Sequence, residues 1–494
     1  MGDAAGPAAG AGQRAANSPA AAGTANRPWP WPDPIHAIGL YWDLARGVWL
    51  GAPERQALVE RRWRALAAHA IGHSAFYREL YGAAPGWLPR QLQDLPVVSK
   101  AMLMGDFDRV STDPSVNLAA VRGFLAEPWR IGEPFAGSHA VWTSSGTSGE
   151  PGIFVHDAQA LAVYDALQFA RFRGAGAGAQ VLPGPMGLPR YALVAATGGH
   201  FAGAASVERL RQVMPWMASS MRVFSLMQPL GELVAALNDY RPDILATYPT
   251  VATQLAAEEE AGRLRIAPVR LWTGGECLTA GTRARVKRVF GHDLREEYGA
   301  SECPSIAIGC RAGWLHVNAD WVVLEPVDDS GRPVAPGELS HSVLLTNLAN
   351  RVQPLIRYDL GDAITLQARP CACGNRLPAI RVQGRCDEPL QLTARSGVHV
   401  ALLPLVLVTV LEEGAELYDF QLVQTGPSAL RLHLARAEAA KSGAARAALL
   451  GFLDRQGLAD VQLEFSGEAP QRGAQGGKLR RVLAATDAAP WWPR

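Results

Sequence analysis

Short apolar runs alternate with helix-like stretches between about residues 140 and 385. The runs YALVAA, DILATY, VRLWTGG and HSVLLTNL are typical of β-strands, and TVATQLAAEEEAGRL, which lies between two of them, is typical of a helix. Alternation of this kind favours an α/β architecture with a largely covered sheet. Before this region, the stretch Pro53 to Leu80 places apolar residues at helical spacing and predicts an amphipathic helical segment.

The character of the chain changes after Arg385. Two strand-like runs (YDFQLVQ and ALRLHLA), a helix-like run, another strand-like run (VQLEFSG) and a glycine-rich loop predict a small α+β unit. We therefore expect an Ala/Gly-rich disordered tail over residues 1–27, a large domain over 28–385 and a small domain over 386–494. A hinge is expected at Asp387.

Charge and hydropathy exclude several classes of protein. The 494 residues include 47 basic and 46 acidic ones, so no electrostatic reason points to nucleic acid as a partner. The tail has no apolar core of a signal peptide, and the apolar run VALLPLVLVTVL is too short for a bilayer span, which takes roughly 20 residues. The expectation is a cytoplasmic protein without a membrane span, whose six cysteines are buried or bound to metal rather than paired in disulfides.

The loop TSSGTSG at residues 143–149 follows an apolar run. Glycines permit close backbone approach, and hydroxyl and amide groups donate to phosphate oxygens, so the loop can hold an anion such as the phosphates of a nucleotide. Taken alone the signal is weak, because loops rich in serine and glycine are common connectors.

Three further motifs follow in order: LWTGGECL at residues 271–278, EEYGASE at 296–302 and IRYDLGD at 356–362. With the first loop, they resemble the adenylate-forming superfamily, and specifically its phenylacetate-CoA ligase-like branch. The resemblance runs from about Leu95 to the end of the chain. It implies an α/β fold with a large multi-sheet N-terminal domain and a small mobile α+β C-terminal domain.

The resemblance also implies an ATP site and roles for its residues. Glu302 would coordinate magnesium, Asp362 would hold the ribose hydroxyls and Arg385 would add positive charge near them. Gly274, Gly275 and Glu276 would border the adenine, with Tyr298 stacking on it and Gly299 beside it. The phosphate loop would be formed by Thr143, Ser144, Ser145, Gly146, Thr147, Ser148 and Gly149.

Lys478, in QGGKLRRVL, resembles the terminal lysine of the superfamily, which stabilises the charge that develops as a carboxylate attacks the α-phosphate. The family's small domain rotates about its hinge, here Asp387, between two half-reactions. One position departs from the pattern, since Glu150 stands where the family often has lysine after the phosphate loop.

Cys310 and His316 lie just after the tyrosine motif, and Cys371 and Cys373 lie just after the ribose motif. Three thiolates and one imidazole suit tetrahedral zinc, and four protein ligands leave no open position, so the ion would be structural. The set also resembles a zinc-binding insertion found in some phenylacetate-CoA ligase-like proteins. The alternative is that these are ordinary buried thiols and a strand histidine.

For the carboxylate substrate the sequence offers only candidates by position. His200 and Tyr248 lie where relatives shape the acid-binding site, and Trp272 and Ala300 are further candidates. Core packing explains an aromatic residue beside glycines about equally well. Lys100, in LPVVSK, is interpreted as a solvated residue at a helix cap.

These observations predict an enzyme that uses ATP to convert a carboxylic acid, typically an aryl acid in this family, to an acyl-adenylate. The acyl group would then pass to a thiol, with CoA as the first candidate and a carrier protein as another. Two alternatives stay open: an adenylyltransferase or amide-forming ligase that does not use CoA, and a non-catalytic adenylate-binding homologue. A zinc hydrolase is disfavoured because it needs an open coordination position.

Overall fold

The computed structural model describes residues 29–30, 34–47, 49–82, 89–144, 151–174, 188–383, 389–471 and 480–484. The predictions for residues 1–27, for Ser145 to Glu150, and for Arg385, Asp387 and Lys478 lie outside these ranges. No helix in the described ranges is long and apolar enough to cross a membrane.

Helices carry the N-terminal part of the chain and cover the central sheet. In chain order they are α1 Pro34–Gly47, α2 Ala52–His73, α3 Ala75–Leu80, α4 Lys100–Gly105, α5 Phe107–Val110, α6 Leu118–Leu125, α7 Ala158–Gly174, α8 Ala202–Val213, α9 Leu230–Tyr240, α10 Pro249–Glu260, α11 Ala280–Phe290, α12 Pro404–Ala415 and α13 Ser442–Arg455.

Strands alternate with these helices from β3 to β7, and β7 to β16 follow one another without an intervening α-helix. They are β1 Ala140–Thr143, β2 Ile153–His156, β3 Tyr191–Ala195, β4 Met221–Ser225, β5 Ile244–Thr247, β6 Arg270–Gly274, β7 Leu294–Ala300, β8 Cys303–Gly309, β9 Leu315–Val317, β10 Val322–Val327, β11 Ser342–Asn347, β12 Tyr358–Asp359, β13 Ala363–Leu366, β14 Ala379–Gln383, β15 Leu390–Thr393, β16 His399–Leu402, β17 Phe420–Gly426, β18 Ala429–Leu434, β19 Gln462–Ser466 and β20 Val482–Leu483.

The helical segment predicted over Pro53 to Leu80 is confirmed, with a break at Ser74. The Ser74 backbone is extended, and its hydroxyl oxygen accepts a hydrogen bond from the Tyr77 amide at 3.3 Å. A side-chain acceptor of this kind satisfies one of the unpaired amides at a helix start. The segment is therefore two helices, α2 and α3, joined at a capped corner.

A nine-stranded mixed sheet forms the centre of the molecule, in the order β13-β14-β9-β8-β7-β6-β5-β3-β4. Strands β4, β3, β5, β6 and β7 are parallel, and β7, β8, β9, β14 and β13 are antiparallel. The four strand-like runs quoted above correspond to β3, β5, β6 and β11, so the predicted α/β class is confirmed.

Side chains alternate between the two faces of the parallel strands. Ala192, Leu245, Leu271 and Leu294 point to one face and belong to a large buried apolar cluster. Tyr191, Ala246 and Trp272 point to the other face, which borders a cavity. The parallel strands therefore separate a packed core from the cavity.

The C-terminal part of the chain forms the predicted α+β unit. Its four-stranded sheet has the order β19-β18-β17-β20, with α12, α13 and the β15–β16 hairpin beside it. Its buried apolar side chains join the cluster on the core face of β3, β5, β6 and β7, and the Gln254 amide donates to the Ala401 carbonyl at 2.9 Å. The boundary at residues 385/386 stays a prediction.

Candidate active site

A cavity of about 1770 Å³ runs along one face of the parallel strands and reaches their carboxyl ends. Ligands bind at this edge in open α/β sheets because the connecting loops diverge there. The cavity brings together ten of the predicted site residues, from segments more than 200 positions apart. They are Thr143, Ser144, Tyr248, Trp272, Gly274, Gly275, Gly299, Ala300, Glu302 and Asp362.

The turn after β6 is held in a tight conformation that glycine permits. Gly275 has a φ of +76°, and a Cβ atom at this position would lie 2.9 Å from Cε1 of Tyr248. The tyrosine ring therefore packs directly on the glycine backbone. A residue with a side chain at position 275 would prevent this contact. Burial raises the pKa of Tyr248 to about 12, so its hydroxyl is neutral at physiological pH.

Glu276, predicted to border the adenine, fixes the start of α10. Its carboxylate accepts hydrogen bonds from the Thr250 hydroxyl at 2.7 Å and from the Thr250 amide at 3.1 Å. A carboxylate at a helix N-terminus satisfies free amides and complements the helix dipole. Glu276 thereby ties the glycine turn to the neighbouring strand–helix unit.

Two tyrosine hydroxyls orient the two predicted carboxylates. The Tyr298 hydroxyl donates to Asp362 at 2.8 Å, and the Tyr358 hydroxyl donates to Glu302 at 3.0 Å. Burial, followed by the nearby carboxylates, raises the pKa of both tyrosines, so both hydroxyls keep the protons they donate. The Tyr298 ring packs against the apolar core and is not among the described residues that line the cavity.

His200 lies beside the cavity rather than on its wall. Its ring is 5.0 Å from that of Phe124, and it is not among the described lining residues. Burial lowers the pKa of His200, so the ring is neutral at pH 7. The His200 carbonyl accepts a hydrogen bond from the Thr143 amide at 3.0 Å, and this contact holds the strand that leads into the predicted phosphate loop.

Sequence reasoning missed part of the lining. Lys100 is the first residue of α4 and lines the cavity half-buried, whereas Ser99 caps the helix, so the interpretation of Lys100 as a solvated cap residue is wrong. Glu297, Gln168 and Tyr191 also line the cavity. For Glu297 a signal was present, because two adjacent glutamates on a strand must point to opposite faces.

The four predicted zinc ligands converge outside the cavity. The donor atoms of Cys310, His316, Cys371 and Cys373 all lie within 4.8 Å of one another. β9 pairs with β14, which places His316 opposite Ala379 and brings the two ligand-bearing segments together. This arrangement can hold a metal ion.

One sulfur–sulfur separation in the cluster is close to that of a tetrahedral zinc site. The sulfurs of Cys310 and Cys371 are 3.7 Å apart, and Nε2 of His316 lies 3.2 Å from the Cys373 sulfur. Zinc–sulfur bonds of about 2.3 Å at tetrahedral angles give a sulfur–sulfur separation of roughly 3.8 Å. Nδ1 of His316 is 2.9 Å from the Leu377 carbonyl, a contact that leaves Nε2 as the ligand atom.

No family model matches the sequence, and no curated protein matches it either. Among solved structures, the chain is similar to a 2-hydroxyisobutyryl-CoA ligase in complex with 2-HIB-AMP and CoA in the thioesterification state. The TM-score is 0.56 at 20% identity, over 89% of this chain and 91% of that chain.

The same ligase in its postadenylation state with 2-HIB-AMP gives a TM-score of 0.52 at 19% identity, over 88% and 90% of the two chains. Its open conformation with 2-HIB-AMP and CoA gives 0.51 at 19% identity, over 86% and 90%. These matches show that the chain shares the fold of this CoA ligase.

Proposed function

We propose that the protein is an AMP-forming acid–thiol ligase of the phenylacetate-CoA ligase-like branch. It uses ATP to convert a carboxylic acid to an acyl-adenylate and then transfers the acyl group to a thiol. CoA is the first candidate for this thiol. The observation that carries the proposal is the single cavity that joins Glu302 and Asp362 to the glycine turn after β6 and to the aromatic face of the sheet.

The nucleotide end of the cavity is assigned by the resemblance of its motifs to the adenylate-forming superfamily. Asp362, oriented by Tyr298, accepts hydrogen bonds from the ribose hydroxyls, and Gly274, Gly275 and Glu276 border the adenine. The loop at residues 143–149 holds the phosphates. Lys478 and Arg385 contribute positive charge to the transition state, and Asp387 is the hinge of the small domain.

Glu302 fits a magnesium ligand. Its carboxylate lies on the cavity wall with one oxygen already held by the Tyr358 hydroxyl, and a hard divalent cation prefers carboxylate and phosphate oxygens. Magnesium bound there would neutralise phosphate charge. The protein's own contribution is to orient this carboxylate through the Tyr358 hydroxyl.

The acid binds against the aromatic face of β3 and β6. The rings of Tyr191 and Trp272 lie 6.0 Å apart in an edge-to-face arrangement, which favours an aryl acid. The bound carboxylate attacks the α-phosphate and pyrophosphate leaves, so the reaction needs no nucleophile from the protein. A carrier-protein thiol or an amine is the alternative acceptor.

The Cys310, His316, Cys371 and Cys373 set holds a structural zinc ion. Four protein donors complete a tetrahedral shell and leave no position for substrate or water. The ion joins the β8–β9 hairpin to the loop before β14. It therefore stabilises the antiparallel half of the central sheet, which includes β8, the strand that begins just after Glu302.

The test is pyrophosphate release from ATP across a panel of aryl and fatty acids, with hydroxylamine or CoA as acceptor. We expect release that depends on one class of acid, is stimulated by CoA and is lost in Glu302→Ala and Lys478→Ala. Glu338→Ala, an exposed position outside the cavity, is the control. Release with hydroxylamine but not with CoA would favour another acceptor, and no release would favour a non-catalytic homologue.

A further inference from the structure

Two consecutive glutamates on β7 have different surroundings. Glu296 forms an ion pair with Arg283 at 2.8 Å on one face of the sheet. Glu297 points to the opposite face, because side chains alternate along a strand, and it lines the cavity. Glu297 is therefore an acidic side chain on the face that carries Tyr191, Ala246 and Trp272.

The Glu297 carboxylate is incompletely hydrogen-bonded. Gln168 Nε2 and the Ser305 hydroxyl both donate to its Oε1 atom, each at 3.4 Å, which is long for a hydrogen bond. No described residue donates to Oε2, and no described cation forms an ion pair with Glu297. Since Glu297 is partly accessible from the cavity, the second oxygen can meet a ligand.

The surroundings are costly for an unpaired carboxylate. Burial raises the pKa of Glu297 to about 7, although the hydrogen bonds from Gln168 and Ser305 lower it. The Tyr191 hydroxyl is close enough that the Glu297 charge raises its pKa, in addition to the larger effect of burial. A ligand that donates a hydrogen bond to Glu297 would remove this cost, and a purely apolar ligand would add to it.

We propose that the acid bound here is an aromatic acid with a hydrogen-bond-donating ring substituent, an amino or a hydroxyl group, and that Glu297 binds that substituent. The aromatic pair of Tyr191 and Trp272 accommodates the ring, while Glu297 and Gln168 provide polar contacts beside it. Glu297 is thus a specificity-determining residue for the activity proposed above, on which this inference rests.

The experiment measures kcat/KM for pyrophosphate release with matched acids: benzoate and phenylacetate, their amino and hydroxy derivatives at each ring position, and the corresponding methyl derivatives. A site built around a hydrogen bond to substrate rejects an analogue that lacks the donor, so we expect a preference of at least about tenfold for an amino or hydroxyl acid over its methyl partner. Comparison of the amino derivatives with the hydroxy derivatives shows which of the two donors the site binds.

Glu297→Leu should abolish or reverse this preference, and Glu297→Gln should retain part of it for hydroxyl acids because the amide oxygen still accepts. Glu296→Gln, one residue away on the other face, should leave the preference unchanged. Thermal unfolding of each variant confirms that it is folded. Equal kcat/KM for donor and methyl acids, or a preference that survives Glu297→Leu, would overturn the inference.

Calorimetric titration of the same acids separates this inference from the proposed function. If no acid supports pyrophosphate release, the proposed ligase activity fails. The specificity inference is then judged by binding: tighter binding of donor acids to the wild type and its loss in Glu297→Leu support it, and equal binding contradicts it.

Discussion

Replacing Gly299 by alanine should destabilise the protein and impair the nucleotide end of the cavity. Gly299 lies at an irregularity in the β7–β8 pairing, between Tyr298 and Ala300. An added Cβ atom would lie 2.0 Å from the Pro304 carbonyl oxygen, which is backbone and cannot rotate away. The two strands must therefore separate near Glu302.

The cost can be worked from two opposing effects. Overpacking of this kind costs about 1–3 kcal/mol, and Gly→Ala recovers roughly 0.4–1 kcal/mol by restricting the unfolded chain, so we expect a net loss in the free energy of unfolding. A displacement of about 1 Å near reacting groups lowers rates roughly 100-fold. Because Glu302 lies only three residues from Gly299, we expect a large fall in the rate of pyrophosphate release.

Denaturant unfolding and pyrophosphate release of Gly299→Ala are measured beside Gly123→Ala. Gly123 is an exposed residue of α6 where an added Cβ meets no atom within 4 Å, so the same substitution should stabilise by about 0.5–1 kcal/mol and leave activity intact. The reasoning is refuted if Gly299→Ala unfolds at the same denaturant concentration as wild type and keeps its activity.

Three further outcomes are expected. The purified protein should contain about one zinc ion per chain by elemental analysis, and Cys373→Ser should lose both the metal and stability; a fully active, metal-free protein would contradict the structural role. Tyr298→Phe should raise the KM for ATP about tenfold, because the charged Asp362 carboxylate loses the hydrogen bond that Tyr298 donates to it. An unchanged KM would contradict a role for Asp362 in nucleotide binding. Glu413 is an exposed residue whose carboxylate lies against Gly198 and Gly199; desolvation there, and then Glu412, raise its pKa to about 7. The folded state therefore holds more protons than the unfolded state between the ordinary value and pH 7, and its stability falls as pH rises through that window. Thermal unfolding at pH 5 and 8 should therefore show a smaller pH dependence for Glu413→Gln and no change for the exposed Glu338→Gln; equal pH dependence in all three would contradict this.

The α/β class and the convergence of the metal ligands could be predicted from sequence because both depend on residue type and order. Alternating apolar runs have few ways to be buried other than as strands covered by helices. A set of three cysteines and one histidine suits a metal ion, and the structure brings the four side chains together. They are Cys310, His316, Cys371 and Cys373.

Side-chain environment could not be predicted in the same way. His200 stands beside two glycines in the sequence, but its ring lies against that of Phe124, a residue of α6 that no local pattern connects to it. Glu297 was missed for a related reason: alternation indicates that Glu296 and Glu297 face opposite ways, but which of them meets the cavity depends on how the whole sheet is covered.

The buried ion pair between Arg481 and Glu412, 2.6 Å apart, is a third example. Arg481 lies beside β20 and Glu412 lies on α12, and in the sequence Arg481 has the pattern of an exposed basic tail. Burying two charges costs desolvation free energy, which their attraction offsets only when the two groups meet in good geometry. This geometry depends on contacts between segments distant in the chain.

Exchange of labelled pyrophosphate into ATP tests the central claim most directly, because it reports formation of the acyl-adenylate without any acceptor. The account predicts exchange that requires both an aromatic acid and magnesium, persists without CoA and falls to background in Glu302→Gln. Exchange that proceeds equally well without any acid, or full exchange in Glu302→Gln, would contradict it.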